Sequence, residues 1–579
     1  MAKNLTTGLQ RGLRQSIAGG LGTGDLFSIA SLDLQFARHK SLDSRVTHTR
    51  QSSATYVDGD GVIRTAVTNL LLRSEEFDQS PWVATAFSGG TAPTVTANAA
   101  TAPDGTVTAD QVSFSAETGS QQGSLQQNIS VTSGVQHTLS FWARTVSGTV
   151  SNLLLRIGTI EEVIGQPITT EWKRYSTTVT VTSSGAVAFK NRPSATGDGT
   201  AIDIYLWGAQ LEESSTVGQY VKTTTAINSA PRFDHDPETG ESLGLLVEES
   251  RTNLLTYSEE FNNSAWYKGR LNVSADLISA PDGTLTADKL VATTDTNISH
   301  LMDSPVISTA AGDHTFSAYF KAGEYDYVIV DLRDSVSIKA SAVLDLRDGT
   351  TSDEAGTISV VPLPDGWYRL VLSATLAATS SFRTVRIYVS DDGTTDGYTG
   401  DNVSGIYAWG AQLEVGSFPT SYIPTEGSQV TRAADVTSIT GTNFSSWYEQ
   451  SEGTVFSDSL VKYHPGTTQF VYQLGGGSFL HSLRQPQGNA NSFRAVIGNT
   501  FSSAPGTGGV AVNGSVTKAA IAYTATNGRF QVGTSGTDVT PAGIADSNQI
   551  TLGNNNGTIN RLTYWPTRLS NDTLQTITR

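Results

Sequence analysis

Apolar and polar residues alternate along much of this chain in short runs. FRTVRIYVS (382–390) and VDLRDS (330–335) are examples, and turn-forming triplets interrupt them: PDG at 103–105 and 281–283, RDG at 347–349, DDG at 391–393. Period-two alternation between Gly- and Asp-rich turns predicts short, half-buried β-strands. One segment has a different period. In NLTTGLQRGLRQSIA (4–18), Leu5, Leu9, Leu13 and Ile17 recur every fourth position, Arg11 and Arg14 lie off that stripe, and Gly19-Gly20 follows. That spacing predicts a short amphipathic helix, marginal alone because it contains Gly8 and Gly12. It reads as an anchor that orders on a partner; a helix packed on its own chain is the alternative.

An internal repeat organises the rest. NLLLRSEEFDQSPW (69–82) answers NLLTYSEEFNNSAW (253–266), APDGTVTADQV (102–112) answers APDGTLTADKL (280–290), and HTLSFWAR (137–144) answers HTFSAYFK (314–321). Trp172 then matches Trp367, YLWGAQLE (205–212) matches YAWGAQLE (407–414), and Tyr220 matches Tyr422. Blocks in a common order imply two copies of one module, 69–225 and 253–425, each a two-sheet antiparallel sandwich of jelly-roll type, a barrel being the weaker alternative. The remaining segments are a head (1–45), an extended β linker (46–68) with a DGDG turn, a β-hairpin linker (226–252) turning at DPETGES, and a last sandwich (426–579). A helix is expected to start at Ser570-Asn571-Asp572, with Leu574 and Ile577 on one face.

Composition narrows the function classes. With 579 residues the chain exceeds what one core organises, which implies three or four domains. It has no cysteine, which excludes disulfides, thiolate metal sites and a Cys nucleophile. No apolar run reaches the roughly 18 residues of a membrane helix, and no signal-peptide core opens the chain. The expectation is synthesis in a host cytoplasm and, for any extracellular role, exit by lysis within a particle. The net charge of −17 argues against a nucleic-acid groove, but it is uneven: residues 1–50 carry seven Lys/Arg against three Asp. The head therefore has a different partner from the acidic remainder.

The run PRFDHDPETGESLGLLVEESRTNLLTYSEEFNNSAW (231–266) resembles a segment common in bacteriophage tail fibres and related virion proteins. The two copies, with WGAQLE near their ends, are similar to the carbohydrate-binding-module jelly rolls found there. The tail RLTYWPTRLSNDTLQTIT (561–578) resembles the end of concanavalin-like, laminin-G-type lectin sandwiches. In the commoner arrangement TYVDGDGVIRTA (55–66 here) runs almost directly into PRFDHD; here the first module sits between them, as in a domain insertion or duplication. The resemblance implies an all-β virion appendage of tandem sandwiches with a short N-terminal helical anchor, often trimeric, that touches host surface glycans.

Candidate chemistry is sparse. The adjacent acids of SEEF, Glu75/Glu76 and Glu259/Glu260, point to opposite faces of a strand and make a poor acid/base pair, so no catalysis is expected. One acid of each pair, Glu76 and Glu260, is a candidate ligand of a structural Ca²⁺, as the resemblance implies. Asp401 in SDDGTTDGYTGD and Asp198 in the recurring TGD are further oxygen donors, solvated turns being the favoured alternative. His235 in DHDPETGE has no second His nearby and is read as part of a surface hairpin. Aromatic faces stack on the C–H side of a sugar. Tryptophans present in both copies (Trp82/Trp266, Trp172/Trp367, Trp207/Trp409) are assigned to the frame. Tyr325 and Tyr327, expected on one strand face, and Tyr398 occur in one copy only and are the sugar-binding candidates; partly buried sheet aromatics are the alternative.

The function expected is a virion fibre or appendage that docks on other virion subunits through residues 1–45, forms a homo-oligomer, and displays its modules to bacterial glycans. A capsid decoration or head-fibre protein is the first rival; a capsule depolymerase is the second.

Overall fold

The structure, a computed structural model, describes residues 23–193, 198–296, 299–394, 397–461, 469–475, 481–485, 494–497, 500–503, 516–541, 547–553 and 556–579. The expected helix at 4–18, with Leu5, Leu9, Arg11, Leu13, Arg14 and Ile17, lies outside the described residues. The fold is all-β, built of antiparallel sheets. The chain divides into two compact units, Thr49–Ser53 with Ala66–Ala230, and Met1–His48 with Ala54–Thr65 and Pro231–Arg579.

The first module is a sandwich of two five-stranded sheets. One runs Lys173–Thr180, Gln136–Thr145, Ile202–Glu212, Ala109–Phe114, Thr94–Ala100; the other Ile160–Val163, Leu154–Gly158, Gly185–Asn191, Gln122–Ile129, Val83–Phe87. Alternate residues meet in a core that includes Trp82, Phe141, Ile157, Phe189 and Leu206. Arg50, buried, donates to the Ala230 carbonyl at 2.9 Å, while its backbone N–H donates to Asn228 at 2.9 Å.

Within the second unit, the second module repeats this strand order with one extra edge strand on each sheet. One sheet runs Thr357–Leu363, Trp367–Leu376, Gly312–Lys321, Gly405–Val415, Ala287–Ala292, Leu271–Ile278. The other runs Thr351–Ala355, Ile338–Asp345, Tyr327–Arg333, Val385–Ser390, His300–Asp303, Tyr267–Gly269.

The repeated motifs are structural devices. In WGAQLE, Gly208 and Gly410 have φ of 63° and 65°, at a register shift beside the neighbouring strand. A Cβ there would meet the Trp142 or Tyr319 ring at 2.9 or 2.8 Å, so only glycine fits. Gln210 and Gln412 then accept from the Val221 and Ile423 N–H at 2.8 and 2.6 Å. Asn69 and Asn253, which open each copy, donate to the Ala209 and Ala411 carbonyls at 3.0 and 3.2 Å. Five of the six shared tryptophans are buried; Trp172 is half-buried, its indole N–H on the Thr101 carbonyl at 3.0 Å and its ring under Arg144.

The last sandwich recruits distant segments. Its eight-stranded sheet takes in Arg232–His235, Ser242–Val247 and Leu32–Gln35 beside Gly557–Trp565, and its seven-stranded sheet starts with Thr47–Thr49. Leu32, Leu34 and Phe36 are buried in its core. Leu26 accepts the Trp565 indole N–H at 2.9 Å, and Phe27 packs on Phe456 and Trp565. Within residues 23–45, the apolar alternation of Leu32, Leu34 and Phe36 is covered by this sandwich. The hairpin 231–247, within the expected β-hairpin linker, pairs at the edge of its sheet. The closing helix, Asn571–Thr578, has Ser570 accepting from the Thr573 N–H at 3.2 Å and buries Leu574 and Ile577.

Candidate functional site

The strand Val385–Ser390 turns Val385, Ile387 and Val389 into the core, so Arg386, Tyr388 and Ser390 face outward. Its neighbours carry the same alternation. Arg386 lies between Asp303 and Asp331, and beyond Asp331 comes Ser341. The next row places Tyr388 between Leu301 and Ile329; the third sets Tyr327 between Ser390 and Asp345. Tyr267, 51% exposed, stands opposite Asp303 on the edge strand, and its ring approaches Gly269.

Polar contacts hold these side chains in place. Arg386 donates to both Asp303 oxygens, Nε at 2.6 Å and Nη2 at 2.9 Å, a bidentate geometry that fixes the guanidinium plane. That pairing raises the Arg386 pKa. The guanidinium sits 5.8 Å from the Tyr388 ring. The Ser341 hydroxyl donates to Asp331 at 2.8 Å, and burial raises the Asp331 carboxyl above its usual range. Arg347, paired with Asp345, bonds the Tyr327 hydroxyl and lies over its ring at 5.1 Å. The face therefore carries partly exposed aromatic rings beside Arg386, whose neighbours Asp303 and Asp331 are themselves buried; ring stacking on C–H groups and hydroxyl pairing are the two elements that recognise a pyranose. The corresponding strand of the first module, Gly185–Asn191, turns Ala186 and Ala188 outward, with Lys190 paired to Glu161. That face lacks the tyrosines.

The three predicted tyrosines are divided. Tyr327 is on this face. Tyr325 precedes the strand, because its N–H is drawn to the Gly405 carbonyl at 3.2 Å, so it does not share the strand face with Tyr327. Tyr325 instead packs edge-on against Tyr398 at 5.6 Å, and Tyr398 lies 4.6 Å from His300. The Tyr398 hydroxyl donates to the Val389 carbonyl at 3.0 Å, which pins the Asp-rich loop to the sheet. Tyr388, Arg386 and Asp331 were missed in the sequence; the signal was the alternation V-R-I-Y-V-S, which puts Arg and Tyr on one face.

The four carboxylates considered for calcium fall two to each unit, Glu76 and Asp198 in one, Glu260 and Asp401 in the other. Glu76 accepts from Arg73 at 2.6 Å. Burial raises the Glu260 carboxyl. Asp198 accepts from the Thr200 N–H and hydroxyl at 3.0 and 2.8 Å. Asp401 accepts from the Val403 and Ser404 N–H at 2.8 and 2.6 Å, and these bonds, Ser404 foremost, hold it at about 2. Among the described residues no group of three or more His, Asp or Glu is placed to hold a metal ion. Nor, among them, is any helix long and apolar enough to cross a membrane.

The fold defines an all-β chain of antiparallel sandwiches. No protein-family model matches it, and no curated protein matches it. Among solved structures it is similar to the N-terminal tandem CBM22-1–CBM22-2 domain of Xyn10C from Paenibacillus barcinonensis, with 14% identity, a TM-score of 0.23, and coverage of 60% of this chain and 98% of that one.

Proposed function

We propose that this chain is a non-catalytic structural protein of a bacteriophage virion, a tail fibre or appendage whose second sandwich binds bacterial surface glycan. The observation that carries the glycan reading is the outer face with Tyr267, Tyr327 and Tyr388 beside the Asp303–Arg386–Asp331 row. The virion reading rests on the resemblance of residues 231–266 to tail-fibre segments. A single face of this kind binds weakly; a homo-oligomer, a trimer on the same resemblance, would raise retention through multivalency. Docking is assigned to the N-terminal head, and calcium is a candidate structural ion.

The test immobilises lipopolysaccharide and capsule from bacterial strains that the phage infects and compares the full chain with Tyr388→Ala and Arg386→Ala. Retention of the full chain and its loss in both variants supports the reading. Equal retention of all three overturns it. The rival, a head decoration protein, is separated by immunolabelling of intact particles: label at the tail favours a fibre, label around the head favours decoration.

A further inference from the structure

The two copies differ in the charge partner of one repeated acid. In the first, Glu75 is buried, accepts from the Tyr220 hydroxyl at 2.9 Å and holds the Lys222 ammonium at 2.6 Å. The Tyr220 oxygen also lies 2.8 Å from Ser74 Oγ. In the second copy Ser258, Glu259 and Tyr422 repeat this arrangement: the Tyr422 oxygen is 2.8 Å from Glu259 Oε1 and 2.8 Å from Ser258 Oγ. The position of Lys222 in YVKT (220–223) is taken by Pro424 in YIPT (422–425). Among the described residues, no Lys, Arg or His forms a salt bridge with Glu259.

Glu259 instead borders a cleft of about 220 Å³, walled by Thr55, Arg64, Asp282, Trp409 and Pro424. The Arg64 guanidinium is engaged by Asp58, Nε to Oδ2 2.7 Å. Asp282 accepts from the Thr284 N–H and hydroxyl at 2.9 and 2.6 Å. Burial first, then the charges of Asp282 and Glu260, push the Glu259 carboxyl up to about 7, against the Tyr422 bond that lowers it. A half-buried carboxylate without a counter-ion gains from a cation that enters from outside.

We propose that this cleft binds a primary ammonium group, in the place that Lys222 Nζ occupies in the first copy. Glu259 accepts the ammonium hydrogens, and the acidic Asp282 in the cleft wall adds a second negative charge. The volume lies below the roughly 300 Å³ at which drug-sized pockets begin, which suits an amino sugar or a lysyl side chain. The cleft is bordered by the sheet of Gly405–Val415, not by the sheet that carries Tyr388. The inference therefore stands independently of the glycan-binding face.

The test is ligand-observed NMR on the full chain with three probes: glucosamine, N-acetylglucosamine and Nα-acetyl-lysine methylamide. The expected result is binding of an amine that Glu259→Gln removes, with no Glu259-dependent binding of the N-acetyl sugar. Preference between glucosamine and the lysine analogue identifies the source as glycan or peptide. Pro424→Lys supplies the cation internally, as the first copy does, and Glu259→Gln removes the charge; each should weaken amine binding at least about tenfold. Tyr388→Ala should leave binding of the lysine analogue unchanged, which separates this site from the sheet face. If Pro424→Lys fails to fold, Glu259→Gln decides alone. Equal Glu259-dependent binding of glucosamine and its N-acetyl form, no binding of either amine, or unchanged amine affinity in Glu259→Gln overturns the proposal.

Discussion

Arg232 and Asp435, 203 residues apart in sequence, form an ion pair at 2.6 Å with both side chains fully buried. The second arm of Arg232 reaches Glu248 at 2.8 Å and the Thr55 carbonyl at 2.8 Å. Arg432 lies 3.5 Å from Glu248, and His48 3.7 Å from Asp435. Burial works against the Arg232 charge, but Asp435 and Glu248 raise its pKa above the usual value. Four chain segments are thereby tied together inside one unit. The PRFDHD and VEES motifs owe their arginine and glutamate to this network rather than to a surface ligand.

Asp435→Ala would leave Arg232 a buried cation with half its pairing, a loss that typically costs about 3–5 kcal/mol. Urea denaturation followed by tryptophan fluorescence should show a transition shifted by that amount. A separate transition of the Ala66–Ala230 unit should not move.

Stability should fall as pH rises from about 4 to 7. Burial pushes Asp110 and Asp288 up to about 6 from 3.8, and Glu259 up to about 7 from 4.5. For acids raised in the folded state, the stabilisation is complete below the unfolded value and is lost as pH climbs through the folded one. Asp334 and Asp401, held at about 2, act only below 3.8, where their contribution is lost as pH falls. His314, lowered by burial, opposes the trend, since its contribution is lost as pH falls below 6.5. Glu259→Gln should flatten the thermal-stability profile between pH 4.5 and 7 by on the order of 3 kcal/mol at most. An unchanged slope would contradict the placement of Glu259.

A chain that starts at residue 23 keeps Leu26, Leu32, Leu34 and Phe36, all buried in the last sandwich or against it. A chain that starts at residue 46 loses all four. Each large apolar deletion costs about 2–5 kcal/mol, so together they exceed ordinary domain stability. The first truncation should be soluble and show a single cooperative melt of that unit; the second should aggregate or lose that transition. On the virion proposal, the first should also be missing from purified particles.

Incubation of the protein with capsule or lipopolysaccharide should release no new reducing ends over hours. Turnover abolished by Glu259→Gln would instead make the ammonium cleft a catalytic one and end the non-catalytic reading.

What the sequence determined was local or repeated. Alternation in FRTVRIYVS specifies a strand and its two faces, because side chains on a strand alternate whatever lies beside them. Recurrence of Asn69/Asn253, Gly208/Gly410 and Gln210/Gln412 marked positions whose backbone partners the fold requires. Only the tertiary structure decided which strands lie together. It set Arg386 between Asp303 and Asp331, moved Tyr325 away from Tyr327, and carried the Leu32–Phe36 alternation into a sandwich more than 400 residues further along. The replacement of Lys222 by Pro424 was visible in the sequence, but it acquired meaning only when Glu75 was seen holding that ammonium and Glu259 facing a cleft without one. Pairing across sheets is set by burial and register summed over the whole unit, and a period read along one strand carries no record of it.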